Sequence, residues 1–367
     1  MLKDYRTNVL SFSHLKKGYL RLFMVLFTTH YYYTFDCMKH ISILVPVGNS
    51  IVDTIIAPYN MLKMANAYHQ KLNGLPEPLF TIDLVSAEGE PVTYQKLFTI
   101  TPTASIATIR KTDLIVISPI SGDLEKATEA NRELVDWIKK QRIEHHSELA
   151  SLCKGAFLLA ETGLVNGKNC ATHWTAHNLF QQKYPKVNLI SENIICEDNG
   201  IYSSGGAYSI LNFTLYLIER YFGRETAIWT SKISEIDFDR VSQSRFIIFS
   251  GQKDHMDEDI KAAQAFIEEH YADKLNVESI AQNVNLNVRS FLRRFKKATS
   301  NTPLEYIQRV RVEAAKRKLE STTETILEVM FGIGYNDEKA FRNTFRKYSG
   351  LSPKEYQTKY NREMAYA

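Results

Sequence analysis

Between Met38 and about Glu225, short unbroken apolar runs alternate with stretches whose apolar residues recur every three or four positions. Continuous runs of this length suit strands buried on both faces, and the intervening period suits helices that cover them. Residues 41–46, 80–86, 114–118 and 149–152, with the pair 193–195 and 201–203, predict strands. Residues 54–72, 129–142, 156–162 and 208–221 predict helices. The triplet Asp198-Asn199-Gly200 predicts the turn of a hairpin. The expected architecture over 38–225 is a doubly wound, flavodoxin-like α/β layer structure. Residues 226–254 lack a period and read as a connector. From Asp257 the pattern is helical throughout, with breaks at Asn285, Pro303, Gly332 to Gly334 and Pro353, so an all-α domain is expected over 255–360, followed by a tail over 361–367.

An apolar run over 19–35 follows Lys16 and Lys17, the order that export machinery reads. It contains Arg21, His30 and three consecutive tyrosines and lacks a small-residue cleavage site. We therefore expect residues 1–37 to lie outside the fold as an extension, with translation starting at Met38. A membrane-anchored sensor is the competing expectation.

The helical part repeats itself. Phe291, Phe295, Pro303, Glu305 and Tyr306 recur fifty residues on as Phe341, Phe345, Pro353, Glu355 and Tyr356. Each copy has a short apolar helix (Val277, Ile280, Ala281; then Ile326, Val329, Met330), a tight turn, and a second helix rich in cations. A helix-turn-helix needs that order, with one helix to brace and one to enter a groove. Burying Val288, Phe291 and Phe295 leaves Arg289, Arg293, Lys296 and Lys297 projecting. Burying Phe341 and Phe345 leaves Lys339, Arg342, Asn343 and Arg346. Such side chains bridge phosphates or read purine edges. Between the units, residues 303–319 predict one long helix with proline in its first turn. If it spaces the readers by about 34 Å, both enter successive major grooves on one side of a duplex. The cations from Arg289 to Lys318, among them Arg294, Arg309, Arg311, Lys316, Arg317 and Lys318, oppose few acids and predict one basic surface. The plainer alternative is a helical bundle with solvated charges.

Composition adds limits. The chain has 367 residues, 44% apolar, which suits two folded domains, and its net charge of +4 puts the weight on charge position. Four scattered cysteines without a CxxC pair argue against a zinc site or a disulfide-stapled fold and for a reducing, cytoplasmic setting. His173 and His177 are four apart but have no third ligand at a fitting spacing, so neither a metal nor a cofactor is expected.

In the α/β part, Cys153 falls where a buried strand turns into a helix, an elbow that presents the side chain over a helix N-terminus, whose dipole favours a reactive thiolate. His173 is a candidate partner base. The alternative is a core cysteine. Gly205-Gly206 precedes a helix and could receive an anion or serve a tight turn.

Two resemblances sharpen this reading. Residues 255–360 resemble the AraC/XylS-type DNA-binding domain through SIAQNVNLNVRSFLRRFKKATSNTPLEYIQRVRVEAAKRKL and ILEVMFGIGYNDEKAFRNTFRKYSGLSPKEY. The resemblance implies base-reading positions at Arg289, Leu292 and Arg293, then Glu338, Lys339, Arg342 and Asn343, with Lys297 and Arg346 as further DNA contacts. Leu292 also has a spacing that suits the core. Met330 and Tyr335 replace a usual alanine and phenylalanine. Residues 41–225 resemble the class I glutamine-amidotransferase-like superfamily, in its ThiJ/PfpI branch, through TDLIVIS, LASLCKGAFLLAETGLVNGKNCATHW and SSGG. This implies a pocket lined by Asp53, Cys153 and His173. Where the enzymes carry Gly-Gly after the third strand, this chain has Ser118-Pro119-Ile120, and proline has no N–H for an oxyanion hole. The two halves occur in the order of GlxA-type regulators of the AraC family. That order implies a DNA-binding transcription regulator with double-stranded DNA as partner, a small-molecule effector, a homodimer, and no membrane. The competing function is a cysteine-dependent amidase, glyoxalase or protease tethered to DNA. With the N–H donor missing at Pro119, hydrolytic activity is not expected, and redox or electrophile sensing is the remaining chemical role for Cys153.

Overall fold

The computed structural model describes residues 39–190, 194–206, 208–238 and 242–361. The extension expected over 1–37 lies outside the described residues, as does residue 193 of the predicted hairpin.

The α/β part runs β1 (Lys39–Leu44), α1 (Asp53–Asn73), β2 (Phe80–Ser86), β3 (Val92–Tyr94), β4 (Phe98–Ile100), β5 (Ala104–Ser105), β6 (Leu114–Ile117), α2 (Leu124–Ala130), α3 (Arg132–His145) and β7 (Glu148–Ser151). It continues through α4 (Ala156–Glu161), β8 (Asn169–Cys170), α5 (His177–Lys183), β9 (Asn188–Leu189), β10 (Ile195–Asp198), β11 (Ile201–Ser204), α6 (Ser209–Phe222) and α7 (Arg224–Ile233). Seven strands form one sheet in the order β10-β11-β7-β6-β1-β2-β5. All its pairings are parallel except the β10–β11 hairpin. Asn199 and Gly200 both take positive φ in the turn of that hairpin, as a tight two-residue turn requires.

Side chains alternate across the sheet. Ile41, Ile43, Leu114 and Val116 pack against α1, α6 and α7, whereas Leu44, Ile115, Ile117 and Leu149 pack against α3 and α4. Both faces are covered, which explains why the strands read as unbroken apolar runs. The residues read as the start of the connector, 226–233, are helical: α7 lies on α1 and α6, with Trp229 stacked on Tyr68 at 4.2 Å. Its buried stripe is Thr226, Ala227 and Thr230, small or hydroxylated residues that leave no apolar period to detect. The short β3–β4 hairpin was also hidden in the sequence.

The helical part is α8 (Glu258–Glu269), α9 (Val277–Asn283), α10 (Val288–Thr299), α11 (Pro303–Ser321), α12 (Ile326–Gly332), α13 (Glu338–Ser349) and α14 (Pro353–Tyr360). Its duplication extends to atomic detail. Asn287 and Asp337 cap α10 and α13 by accepting the N–H of Ser290 and Ala340. Thr302 with Glu305, and Ser352 with Glu355, form reciprocal capping boxes ahead of Pro303 and Pro353. Phe291 meets Phe295 edge-on at 5.3 Å as Phe341 meets Phe345 at 5.8 Å, and Tyr306 and Tyr356 close the two clusters. The turns between brace and reader use left-handed residues, Asn285 (φ 55°) and Gly334 (φ 84°). At Gly334 a Cβ would collide with the Ala272 carbonyl, so glycine is required there.

Each unit has its own core. The first joins Ile260, Ile267, Ile280, Phe291, Phe295, Tyr306 and Ile307. The second joins Val312, Ala315, Leu319, Val329, Met330, Phe341, Phe345 and Tyr356. Helix α11 therefore gives its first half to one core and its second half to the other.

Candidate nucleic-acid interface and elbow pocket

Helix α10 buries Phe291 and Phe295 completely and exposes Arg289, Leu292, Arg293, Lys296 and Lys297 on its opposite face. Leu292 is 39% exposed, which resolves its spacing in favour of the outward face. Among the described residues, Arg289, Arg293, Lys296 and Lys297 have no carboxylate within salt-bridge distance, so their charge is available to an outside partner. Helix α13 buries Phe341 and Phe345 and exposes Glu338, Lys339, Arg342, Asn343 and Arg346. Here Arg342 is engaged within its own helix: its Nε donates to Glu338 at 2.7 Å and its Nη2 lies 2.6 Å from the same oxygen.

The single basic surface expected from Arg289 to Lys318 is narrower than its sequence suggests. Arg294 turns back to Asp257 and Asp259 at the start of α8, at 2.5–2.9 Å, and the guanidinium holds the Asp257 carboxyl below its ordinary range. Arg311 donates to the carbonyls of Tyr271 and Asp273. Lys316 is buried and donates to the Ile247 carbonyl and Glu313. Lys318 is held by Glu324. These cations brace the helices, because α11 is packed on several sides. The outward charge that remains is concentrated on the two reader helices.

In the α/β part, Cys153 sits at the β7 elbow, 2% exposed, with φ of 52°. A side chain other than glycine pays for that conformation, and such strain clusters at functional elbows. Gly155 lets α4 approach the end of β6, since a Cβ would collide with the Ile117 carbonyl. Thr172 Oγ1 donates to the Cys153 carbonyl at 2.9 Å, which ties the segment before His173 to the elbow. The His173 ring lies directly on Gly206, where a Cβ would clash with it. Asp53, exposed at the start of α1, accepts a hydrogen bond from Tyr208 at 3.2 Å. Thr172, Gly206 and Tyr208 thus each meet one of the three candidate residues, Cys153, His173 and Asp53 respectively.

Three details define the chemistry around this elbow. The Thr175 N–H donates to His173 Nδ1 at 3.1 Å, which places the ring proton on Nε2 and makes that nitrogen a donor. Burial, with Lys154 nearby, pushes His173 down to about 4. The cradle at Gly205-Gly206 is filled from within: Gln243 Oε1 accepts the Gly206 N–H at 3.2 Å, and its Nε2 donates to the Thr172 carbonyl at 3.3 Å. A Cβ at Gly205 would come within 2.6 Å of that oxygen, so close packing explains the glycine pair. Gln243 lies in a segment without period, and nothing in the sequence ties it to a loop 37 residues upstream.

Among the described residues no cluster of three metal-ligating side chains occurs, and His177 Nε2 is committed to the Thr172 carbonyl at 3.2 Å. Nor is any described helix long and apolar enough to cross a membrane.

Comparison with known proteins defines the class. The DJ-1/PfpI family model matches residues 54–220, and a family described as Helix-turn-helix domain matches residues 280–359. The chain joins a DJ-1/PfpI-type α/β domain to an AraC-type helix-turn-helix domain. The HTH-type transcriptional regulator GbdR of Pseudomonas aeruginosa is 25% identical over 316 residues, covering 84% of this chain and 82% of the relative. The HTH-type transcriptional regulator CdhR of the same species is 24% identical over 299 residues, covering 80% and 84%. The lactose operon transcription activator of Staphylococcus xylosus is 34% identical over 109 residues, covering 30% of this chain and 39% of the relative.

Proposed function

We propose that this chain is a sequence-specific DNA-binding transcription regulator whose DJ-1/PfpI-type domain binds an effector or dimerises. The observation that carries the reading is the duplicated bihelical unit, each copy presenting an exposed polar and cationic face over a buried pair of phenylalanines. On this proposal Arg289, Leu292, Arg293 and Lys297, with Glu338, Lys339, Arg342, Asn343 and Arg346, contact DNA. Domain limits near 38–238 for the α/β part and 255–360 for the reader part, cytoplasmic residence and a homodimer belong to the same reading.

The pocket at Asp53, Cys153 and His173 serves regulation on this proposal and has no hydrolytic role. Pro119 lacks an N–H, His173 presents a proton where a base needs a lone pair, and Gln243 occupies the neighbouring amide. Selection of bound duplexes from a random library tests the proposal. An enriched motif with affinity that falls steeply with salt supports it. Equal retention of all duplexes refutes it, and amide, peptide or dicarbonyl turnover that vanishes in Cys153→Ala establishes the enzymatic alternative.

A further inference from the structure

Arg309 stands apart from its neighbours on α11. Its guanidinium lies 4.7 Å over the Tyr348 ring and 5.7 Å from that of Phe249, contacts that favour the cation but satisfy none of its N–H donors. Its Nε is buried and, among the described residues, has no acceptor. The acids one turn away are already committed. Glu305 receives the Thr302 N–H and hydroxyl, and Glu313 receives Lys316 and the Phe249 N–H. A half-buried guanidinium whose buried Nε–H has no acceptor leaves a polar group unsatisfied and favours an anionic partner.

The same side chain lines a cleft of about 280 Å³ between the α/β domain, the connecting segment of residues 247–252 and the reader domain. Its walls hold Trp174, His177 and Gln181 on one side and Asn301 and Arg309 on the other, with no aspartate or glutamate among its described lining. His177 is neutral there, pushed down to about 4 chiefly by burial, so Arg309 supplies the charge. At about 30 Å³ per water-sized group, the space admits roughly nine non-hydrogen atoms.

We propose that this interdomain cleft binds a small organic oxyanion, a carboxylate or phosphate, whose charge pairs with the Arg309 guanidinium while amide side chains and Trp174 hold its body. The planar fork of arginine matches both oxyanions. Such a ligand bridges the α/β domain to the helix shared by the two readers, and so biases how the readers are held. Only that consequence rests on the regulator reading; binding itself does not.

Calorimetric titration of the full chain without DNA tests the site, with succinate, benzoate and inorganic phosphate as probes and tetramethylammonium chloride as the cation control. Saturable binding of at least one of the three anions is expected, accompanied by a change in tryptophan emission that Trp174→Phe removes, and absent with the control. Succinate or benzoate alone assigns a carboxylate source, phosphate alone a phosphate source, and both outcomes support the site. Arg309→Met should weaken binding roughly ten- to a hundredfold. Gln181→Glu, at an exposed position that leaves packing intact, should weaken it at least about tenfold by placing a carboxylate in the cleft. No saturable anion binding, or an unchanged Kd in both variants, overturns the proposal. Sequence-specific DNA binding in that case leaves the regulator reading standing.

Discussion

The adjacent arginines of α10 give a decisive test of which charges read DNA. Arg293 is exposed and has no carboxylate partner among the described residues, whereas Arg294 closes on Asp257 and Asp259. On a duplex recovered by selection, Arg293→Ala should lose about 1–3 kcal/mol, or roughly 5- to 150-fold in affinity, if it reads a base edge. On a random duplex the loss should be small, because phosphate contacts by exposed lysines such as Lys297 persist. Should Arg293 instead contact phosphate, both duplexes weaken alike and the slope of log affinity against log salt falls by about 1. Arg294→Ala should leave both affinities and the salt slope within error of wild type, while lowering the thermal midpoint of the reader domain. Fluorescence anisotropy over a salt series separates these cases. The assignment fails if the Arg294 variant, shown folded by circular dichroism, loses as much specific affinity as the Arg293 variant.

Other consequences are equally measurable. Phe295→Ala and Phe345→Ala each empty the centre of one reader core and should cost about 3–5 kcal/mol in urea unfolding; a loss under about 1 kcal/mol in either would contradict the buried stacking described for it. His177 stays neutral when folded down to about 4, against 6.5 unfolded, so its contribution is present above pH 6.5 and disappears as pH drops towards 4. At about 1.36 kcal/mol per pH unit the scale is about 3 kcal/mol, and His177→Gln should flatten the pH dependence of unfolding over that window. Parallel curves for the two proteins would remove this explanation. Gly206→Ala drives a methyl group into the His173 ring, and the double variant with His173→Ala should recover much of the lost stability; strictly additive losses would mean the two do not share that space.

Much of this architecture was legible from the chain, for reasons that differ by element. Strands such as 114–117 announced themselves because burial on both faces demands unbroken apolar runs. The reader units were legible because their caps, prolines and phenylalanines repeat at one offset. Helix α7 was not, since Thr226, Ala227 and Thr230 fill a tight helix contact without raising hydrophobicity. Arg289 and Arg309 look alike in the sequence, yet one faces outward and the other lies against Tyr348 and Phe249. Which way a cation points depends on neighbours brought from elsewhere in the chain. The same holds for Gln243, whose contacts with Gly206 and Thr172 join a connector to two distant turns.

Because α11 is part of both reader cores, its length acts as a ruler. Inserting one residue between Ile307 and Val312 would turn the second unit by about 100° around the helix axis and advance it by about 1.5 Å. No side chain at either reading face would change, yet the pair would now match DNA sites with a different phase between their halves. Evolution could therefore retune spacing preference through a stretch of helix set between the two reader cores.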